Sequence, residues 1–327
     1  MTTVLAGDIG GTTTRLAYLD FDNGKPALKV EKHYPSREAG GLPEIVGRFI
    51  EEHGKSADHA CFAVAGWVQN GRVRAPNLPW TADAAEVARE LSLSKVQLIN
   101  DLHANAMGIA VLQPSELSVL SEGKPDPTGT VALVSAGTGL GEAAAIWDGQ
   151  MHRPLASEGG HADFAPRNEL EAELMLYLRS VHGRVSIERV LSGPGLCNIY
   201  QFMRDIKKRA EVPSVVEEMR ESDPAAVITR AALSGDSTLC SEVLDMFVSF
   251  FGAEAGNAAL RYLAAGGVYL GGGIAPKIIE RLKGSGFMLS FLNKGRLSPL
   301  LETIPVRVIL NDGTALLGAG RVAALAV

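Results

Sequence analysis

Apolar residues come in short, dense blocks separated by glycine-rich or polar turns, and the spacing inside each block predicts its element. "TVLAGDI" (3–9) and "TRLAYLDF" (14–21) read as strands, with "ALKVEKHY" (27–34) a third of weaker alternation and "DNGK" (22–25) the turn before it. "LPEIVGRFIEEHG" (42–54) has apolar positions at helical spacing and a closing glycine. "HACFAVAG" (59–66) predicts a buried strand, "ADAAEVARELS" (82–92) a helix, "KVQLIN" (95–100) a strand and "DLHANAMGIAVL" (101–112) a helix starting near Asp101. The Pro/Gly/Ser-rich stretch 114–129 reads as a linker or surface loop beside a domain boundary.

The opening pattern then returns. "TVALVSAGTGLGEAAAIWDGQ" (130–150) repeats strand, Gly/Thr turn, strand and Asp-Gly, as in the first 25 residues. Two such copies imply two related domains. The second half is mostly helical: "LEAELMLYLRSVHG" (170–183) is amphipathic, and 237–265 predicts a long buried helix with a break near Gly252 or Gly256. "GVYLGGGIAPKIIERLK" (267–283) reads as strand, glycine turn and a helix carrying Pro276 in its first turn. "PVRVIL" and "GTALLGAGRVAALA" close the chain as strand and helix.

Composition narrows the function class. The 327 residues are 46% hydrophobic and 21% charged, ordinary for a globular enzyme, and the formal net charge of −6 argues against a nucleic-acid surface. The most basic stretch, "RDIKKRAE" (204–211), reads as a solvated helix face. Cys61, Cys197 and Cys240 are scattered and without metal-ligand spacing, which suits a reducing cytoplasm. The opening "MTTVLAGDIGG" has no basic n-region and reaches glycine too soon to be expected as a signal peptide, and no apolar run has the length of a membrane span.

"GDIGGTTTRLAYL" (7–19) has two readings. A hairpin turn needs only its glycines. A phosphate loop would use the glycines for close backbone approach, the threonines as donors and Asp8 to hold Mg2+ through water. Asp101, where a strand meets a helix, is either an N-terminal cap or a general base. Glu158 and His161 in "SEGGHADF" can share one pocket or be ordinary surface groups, and "IERV" around Glu188 is compatible with any helix face. Asn77 is as compatible with a turn before Pro79 as with a ligand site. The "GGG" at 271–273 is a packing turn or a nucleotide contact.

Six blocks in order resolve these choices by likeness: "GDIGGTTTRLAYL", "LINDLHANAMGI", "VSAGTGLGEAAAI", "SEGGHADFAP", "IERVLSGPGL" and "GGVYLGGGIAPK". Together, almost end to end, they resemble the bacterial glucokinases of the non-ROK type, in the actin-like ATPase and hexokinase superfamily. The chain lacks the cysteine-rich zinc motif of the ROK kinases, and has Thr13 where the family often has asparagine. The resemblance implies an α/β fold of two actin-like (ribonuclease H-like) domains, each a mixed sheet flanked by helices, with an interdomain cleft. The domains would be 1–112 plus 304–327, the smaller, and 113–303, the larger and helix-rich. It implies a cytoplasmic homodimer that phosphorylates glucose with ATP and Mg2+, with no nucleic-acid or membrane partner. A kinase for another hexose, a silent sugar sensor and an assembly ATPase of the same fold are the alternatives. Asp101 becomes the base, and Asn100, Asp101, Glu158, His161 and Glu188 the sugar ligands. Gly7, Asp8, Ile9, Gly10, Gly11 and Thr12, with Gly137, Thr138, Gly139, Gly272 and Gly273, become the nucleotide contacts, and Asp8 the water-mediated metal ligand.

Overall fold

Strand β1 (Thr2–Ile9) pairs antiparallel with β2 (Thr13–Asp22), and β2 with β3 (Lys25–Pro35), in a computed structural model that describes residues 1–74 and 78–327. The β2–β3 reversal places Asn23 and Gly24 at φ 49° and 79°, the left-handed pair that a two-residue hairpin requires. Helix α1 (Leu42–His53) leads into β4 (His59–Val64), which runs parallel to β1. Strands β5 (Trp67–Gln69), β6 (Arg72–Arg74) and β7 (Thr81–Asp83) form a small antiparallel sheet that the hydrophobic pattern does not predict. Three-residue strands carry too little periodicity to be seen. Helix α2 (Ala84–Glu90), strand β8 (Lys95–Asn100) and helix α3 (Asp101–Ile109) follow. The main sheet of this first unit, residues 1–116, 153–156 and 311–327, has the order β3-β2-β1-β4-β8.

Alternation along β1 sorts its side chains onto two faces. Leu5 and Ile9 pack with Leu16, Tyr18, Phe62 and the Ile45, Val46 and Phe49 side of α1. Val4 and Ala6 point the other way, toward Ala104 of α3 and Ala315, Leu316 and Ala319.

The second unit is residues 117–152 and 157–310. After α3 the chain runs through β9 (Leu117–Ser121), β10 (Val131–Ala136), β11 (Leu140–Trp147) and β12 (His152–Ala156), whose residues 153–156 group with the first unit, then α4 (Glu169–His182), α5 (Gly193–Asp205), α6 (Pro213–Glu221), α7 (Pro224–Ser234) and α8 (Thr238–Tyr262). Strand β13 (Gly267–Gly271), short helices α9 (Ile279–Leu282), α10 (Ser285–Leu292) and α11 (Ser298–Leu301), and strand β14 (Val306–Ile309) complete it. The sheet order is β12-β11-β10-β13-β14-β9. Its first five strands repeat the order of the first sheet, with a hairpin, then parallel neighbours. The repeated glycine-turn pattern is thus a repeated topology.

Three sequence expectations need correction. The stretch 114–129 is not all loop, since β9 lies within it and pairs antiparallel with β14. The basic stretch 204–211 is not a helix face: α5 ends at Asp205. Helix α8 runs unbroken through Gly252 and Gly256. A Cβ at those positions would stand 2.2 Å from Phe287 O and 2.5 Å from Phe291 O. The two glycines let α10 approach the α8 backbone and do not interrupt the helix. Around this contact Phe247, Phe251, Phe287 and Phe291 are fully buried in one large core.

Helix α12 (Thr314–Ala324) belongs to the first unit and lies against α3 and β1. Among the described residues, no helix is long and apolar enough to cross a membrane.

Candidate active site

The first unit supplies an acidic corner. Gly7 and Ile9 face the α1 side of the sheet, and a Cβ on Gly7 would stand 2.5 Å from Phe62 Cδ1. The Gly7 Cα and the Ile9 side chain are therefore packed, with Ile9 itself buried. Asp8, between them, faces α3. Burial, then the nearby charge of Asp101, raises the Asp8 carboxyl to about 6, with Arg15 opposing and Asp312 reinforcing the rise. Beyond β1 the chain turns tightly. Gly10 N–H donates to Thr13 O at 3.0 Å, Arg37 Nε donates to Gly11 O at 3.1 Å, and Ser36 N–H to Thr12 O at 2.9 Å. These contacts brace the Gly10–Thr12 tip from its carbonyl side. The bond at Thr13 is a backbone one, so a threonine at this position leaves it intact.

Asp101 is not the N-terminal cap of α3. The cap is Asn100: its Oδ1 accepts from Leu102 N–H at 2.8 Å and His103 N–H at 3.4 Å. Its Nδ2 donates to Gly66 O at 3.1 Å, which leaves one amide hydrogen for another acceptor. Asp101 is the first helical residue, so its carboxylate is not spent on the cap.

The second unit gathers the other segments. Turn 137–139 joins β10 to β11 and is pinned on both sides: Gly193 N–H donates to Gly137 O at 2.8 Å, and Leu140 N–H donates to Glu188 Oε2 at 2.9 Å. A Cβ on Gly139 would stand 2.7 Å from that same Glu188 oxygen, so Gly139 makes room for Glu188. His161 Nδ1 lies 3.9 Å from Glu188 Oε1, and Glu158 starts the turn that carries His161, with His161 N–H donating to Glu158 O at 3.0 Å. The structure thus brings Glu158, His161 and Glu188 together. Asn77 lies outside the described residues.

A cavity of about 1070 Å3 opens beside turn 137–139. Gly137, Thr138 and Gly273 line it, and so do Asn198 of α5, Asp223, which caps α7, Thr229 of α7 and Lys277. The N-terminus of α5, a 13-residue helix capped by Ser192, lies at the same place and favours anions. Gly272 is absent from the wall. At φ +82° its Cβ would meet Ala136 O at 2.2 Å, so the turn requires glycine there, while Gly273 has open space above it. The wall from α5 and α7 carries no motif, and only the run "SGPGL" at the α5 start hinted at an anion site. Lined by apolar atoms with a few polar groups, the cavity has the size and character of a small-molecule site.

No group of three or more histidine, cysteine, aspartate or glutamate side chains among the described residues is arranged to chelate a metal. The corner at Asp8 nevertheless fits a divalent cation held through water, because Asp101 and Asp312 add negative charge and Arg15 alone opposes it.

Known proteins resemble the chain along its whole length. The glucokinase family profile matches residues 5–326. A glucokinase from Nostoc sp. is 43% identical, with 99% of each chain covered. The crystal structure of a glucokinase from an Antarctic psychrotroph has 31% identity, a TM-score of 0.88 and 99% coverage of both chains. A ROK family glucokinase from Streptomyces griseus, crystallised with glucose and AMPPNP, shares the fold at 19% identity, a TM-score of 0.67 and 99% coverage of both. With its profile match running nearly the full length, the chain belongs to the glucokinase family.

Proposed function

We propose that the protein transfers the γ-phosphoryl group of ATP to the 6-hydroxyl of D-glucose, giving glucose 6-phosphate and ADP. The observation that carries the residue assignment is the place of Asp101 at the start of α3, where Asn100 does the capping and the Asp101 charge acts on the Asp8 carboxyl. Asp101 takes the proton of the 6-hydroxyl. The freed oxygen forms the new bond to phosphorus, and the bond from phosphorus to the bridging oxygen of ADP breaks, ADP keeping the electron pair. Asn100, through its remaining amide hydrogen, and Glu158, His161 and Glu188 hold the sugar hydroxyls. A site of this kind rejects sugars that leave its polar groups unpaired.

The nucleotide takes the 1070 Å3 cavity, with phosphates toward turn 137–139 and the α5 N-terminus, and with Gly10, Gly11 and Thr12 as further contacts. Asp8 would hold Mg2+ through water. When bound, the ion neutralises charge on the phosphate oxygens. It would also relieve the crowding of carboxylates that raises Asp8. We take the working form to be a cytoplasmic homodimer, following the family resemblance; light scattering reads its mass against 34.6 kDa for one chain.

The test is a coupled assay over a panel of hexoses, with and without ATP. Glucose turnover that requires ATP and exceeds that of fructose, mannose and N-acetylmannosamine supports the reading. Equal or better turnover of another hexose overturns the sugar assignment.

A further inference from the structure

Beneath the Glu158–His161 turn lies a buried carboxyl that the reaction does not use. Glu142 of β11 is fully buried, and its Oε1 has no hydrogen-bond partner among the described residues. Its Oε2 accepts from Arg261 Nη1 at 3.2 Å, and the same nitrogen donates to Glu254 Oε1 at 2.6 Å. Glu254 is buried too, and its Oε2 accepts from Asn257 Nδ2 at 3.0 Å. Lys294 Nζ donates to Asn257 Oδ1 at 2.7 Å and Ala253 O at 3.0 Å. Two buried acids thus share one arginine. On the opposite side the Glu142 carboxyl touches the sugar loop itself: a Cβ on Gly159 would stand 2.2 Å from Oε2. Only glycine fits there, so the backbone between Glu158 and His161 rests on this carboxyl.

We propose that Glu142 is a positioning residue for glucose: it supports the Gly159 backbone and so fixes where Glu158 and His161 present their side chains. The inference rests on the assignment of those two residues to the sugar. A proton held on the Glu142 carboxyl keeps the two acids, with Arg261, near neutrality. Burial, with the Glu254 charge added to it, pushes the Glu142 carboxyl up to about 8. The charged groups around it are Glu254 and Arg261 of α8, Lys294 beyond them, and Glu158 and His161 on the turn above. Loss of the Glu142 proton places a second negative charge under the turn that begins at Glu158, which loosens the support.

The experiment measures KM for glucose and for ATP between pH 6.5 and 9.5 in the wild type, Glu142→Gln, Glu142→Ala, Gly159→Ala and Glu158→Gln. In the wild type the glucose KM should rise about threefold or more above pH 8 while the ATP KM does not follow. Glu142→Gln, a neutral isostere, should flatten that rise. Gly159→Ala should raise the glucose KM about tenfold, and should cost much less in a Glu142→Ala background, where the colliding oxygen is gone. A Glu142→Gln profile that tracks the wild type, with Gly159→Ala equally costly in both backgrounds, overturns the proposal. If Glu158→Gln raises the glucose KM while the Glu142 variants do not alter it, only the positioning role fails. If Glu158→Gln also leaves it unchanged, the sugar-site assignment fails first.

Discussion

Glu188 Oε2 accepts the backbone N–H of Leu140 at 2.9 Å, tying a candidate sugar ligand to the turn that borders the nucleotide cavity. On the proposed assignment one carboxylate then serves two substrates. Glu188→Ala should raise KM for both glucose and ATP, whereas His161→Ala, whose ring makes no such tie, should raise the glucose KM alone. Steady-state kinetics with each substrate varied in turn separates them, and a Glu188→Ala effect confined to glucose would show that the tie does not matter to the nucleotide.

The division of labour between Asn100 and Asp101 predicts opposite phenotypes. Asp101→Asn should retain glucose binding and stability but lose kcat by roughly 10²–10⁴-fold, the range for general-base help. Asn100→Ala should lower stability by about 1 kcal/mol, since it removes the cap. Calorimetry and single-turnover assays read both, and a near wild-type kcat in Asp101→Asn would remove Asp101 from the chemistry.

Asp8 should be costly to the free protein. Its carboxyl is raised from 3.8 to about 6, so the folded state holds this proton more tightly than the unfolded chain does. The contribution to stability is therefore intact below pH 4, is lost as pH climbs to about 6, and stays lost above it. The size is about 2 kcal/mol after allowance for water at a half-buried group. Asp8→Asn should raise the apo-protein Tm at pH 7.5 but not at pH 3.8, and should weaken Mg2+-dependent ATP turnover. Equal Tm values at pH 7.5 would contradict it.

The cavity wall offers a test that spares the core. Ala226 lies exposed on α7 at the cavity edge. Ala226→Trp should raise the ATP KM about tenfold with the glucose KM within twofold. An unchanged ATP KM would move the nucleotide elsewhere.

Much of this was legible because two physical signals were strong. Buried strands such as His59–Val64 show themselves by density of apolar residues, and the repeated Gly/Thr turn announces a repeated sheet order. What stayed hidden is contact that no periodicity encodes. Gly252 and Gly256 look like helix breakers until Phe287 and Phe291 are seen against them. Gly7, Gly139 and Gly272, read as phosphate contacts, also sit where a side chain would strike Phe62, Glu188 or Ala136, a packing need that no spacing encodes. Asn198, Asp223 and Thr229 line the cavity from helices whose sequence shows only amphipathic spacing. Glu142, inside an alanine-rich strand, gave no sign of the acid pair it forms.

The placement of α12 has a consequence for how the polypeptide matures on the ribosome. One face of the first sheet, with Val4, Ala6 and Leu19, is covered by Ala315, Leu316 and Ala319, which are synthesised some three hundred residues later. Gly318 lies so near α3 that a Cβ would stand 1.8 Å from Ala104 O. The opening strands must therefore wait, with one apolar side uncovered, while the second unit is made and can already condense. Nascent chains released before α12 emerges should bind hydrophobic-surface chaperones far more than full-length ones, and supplying α12 is the step that ends that exposure.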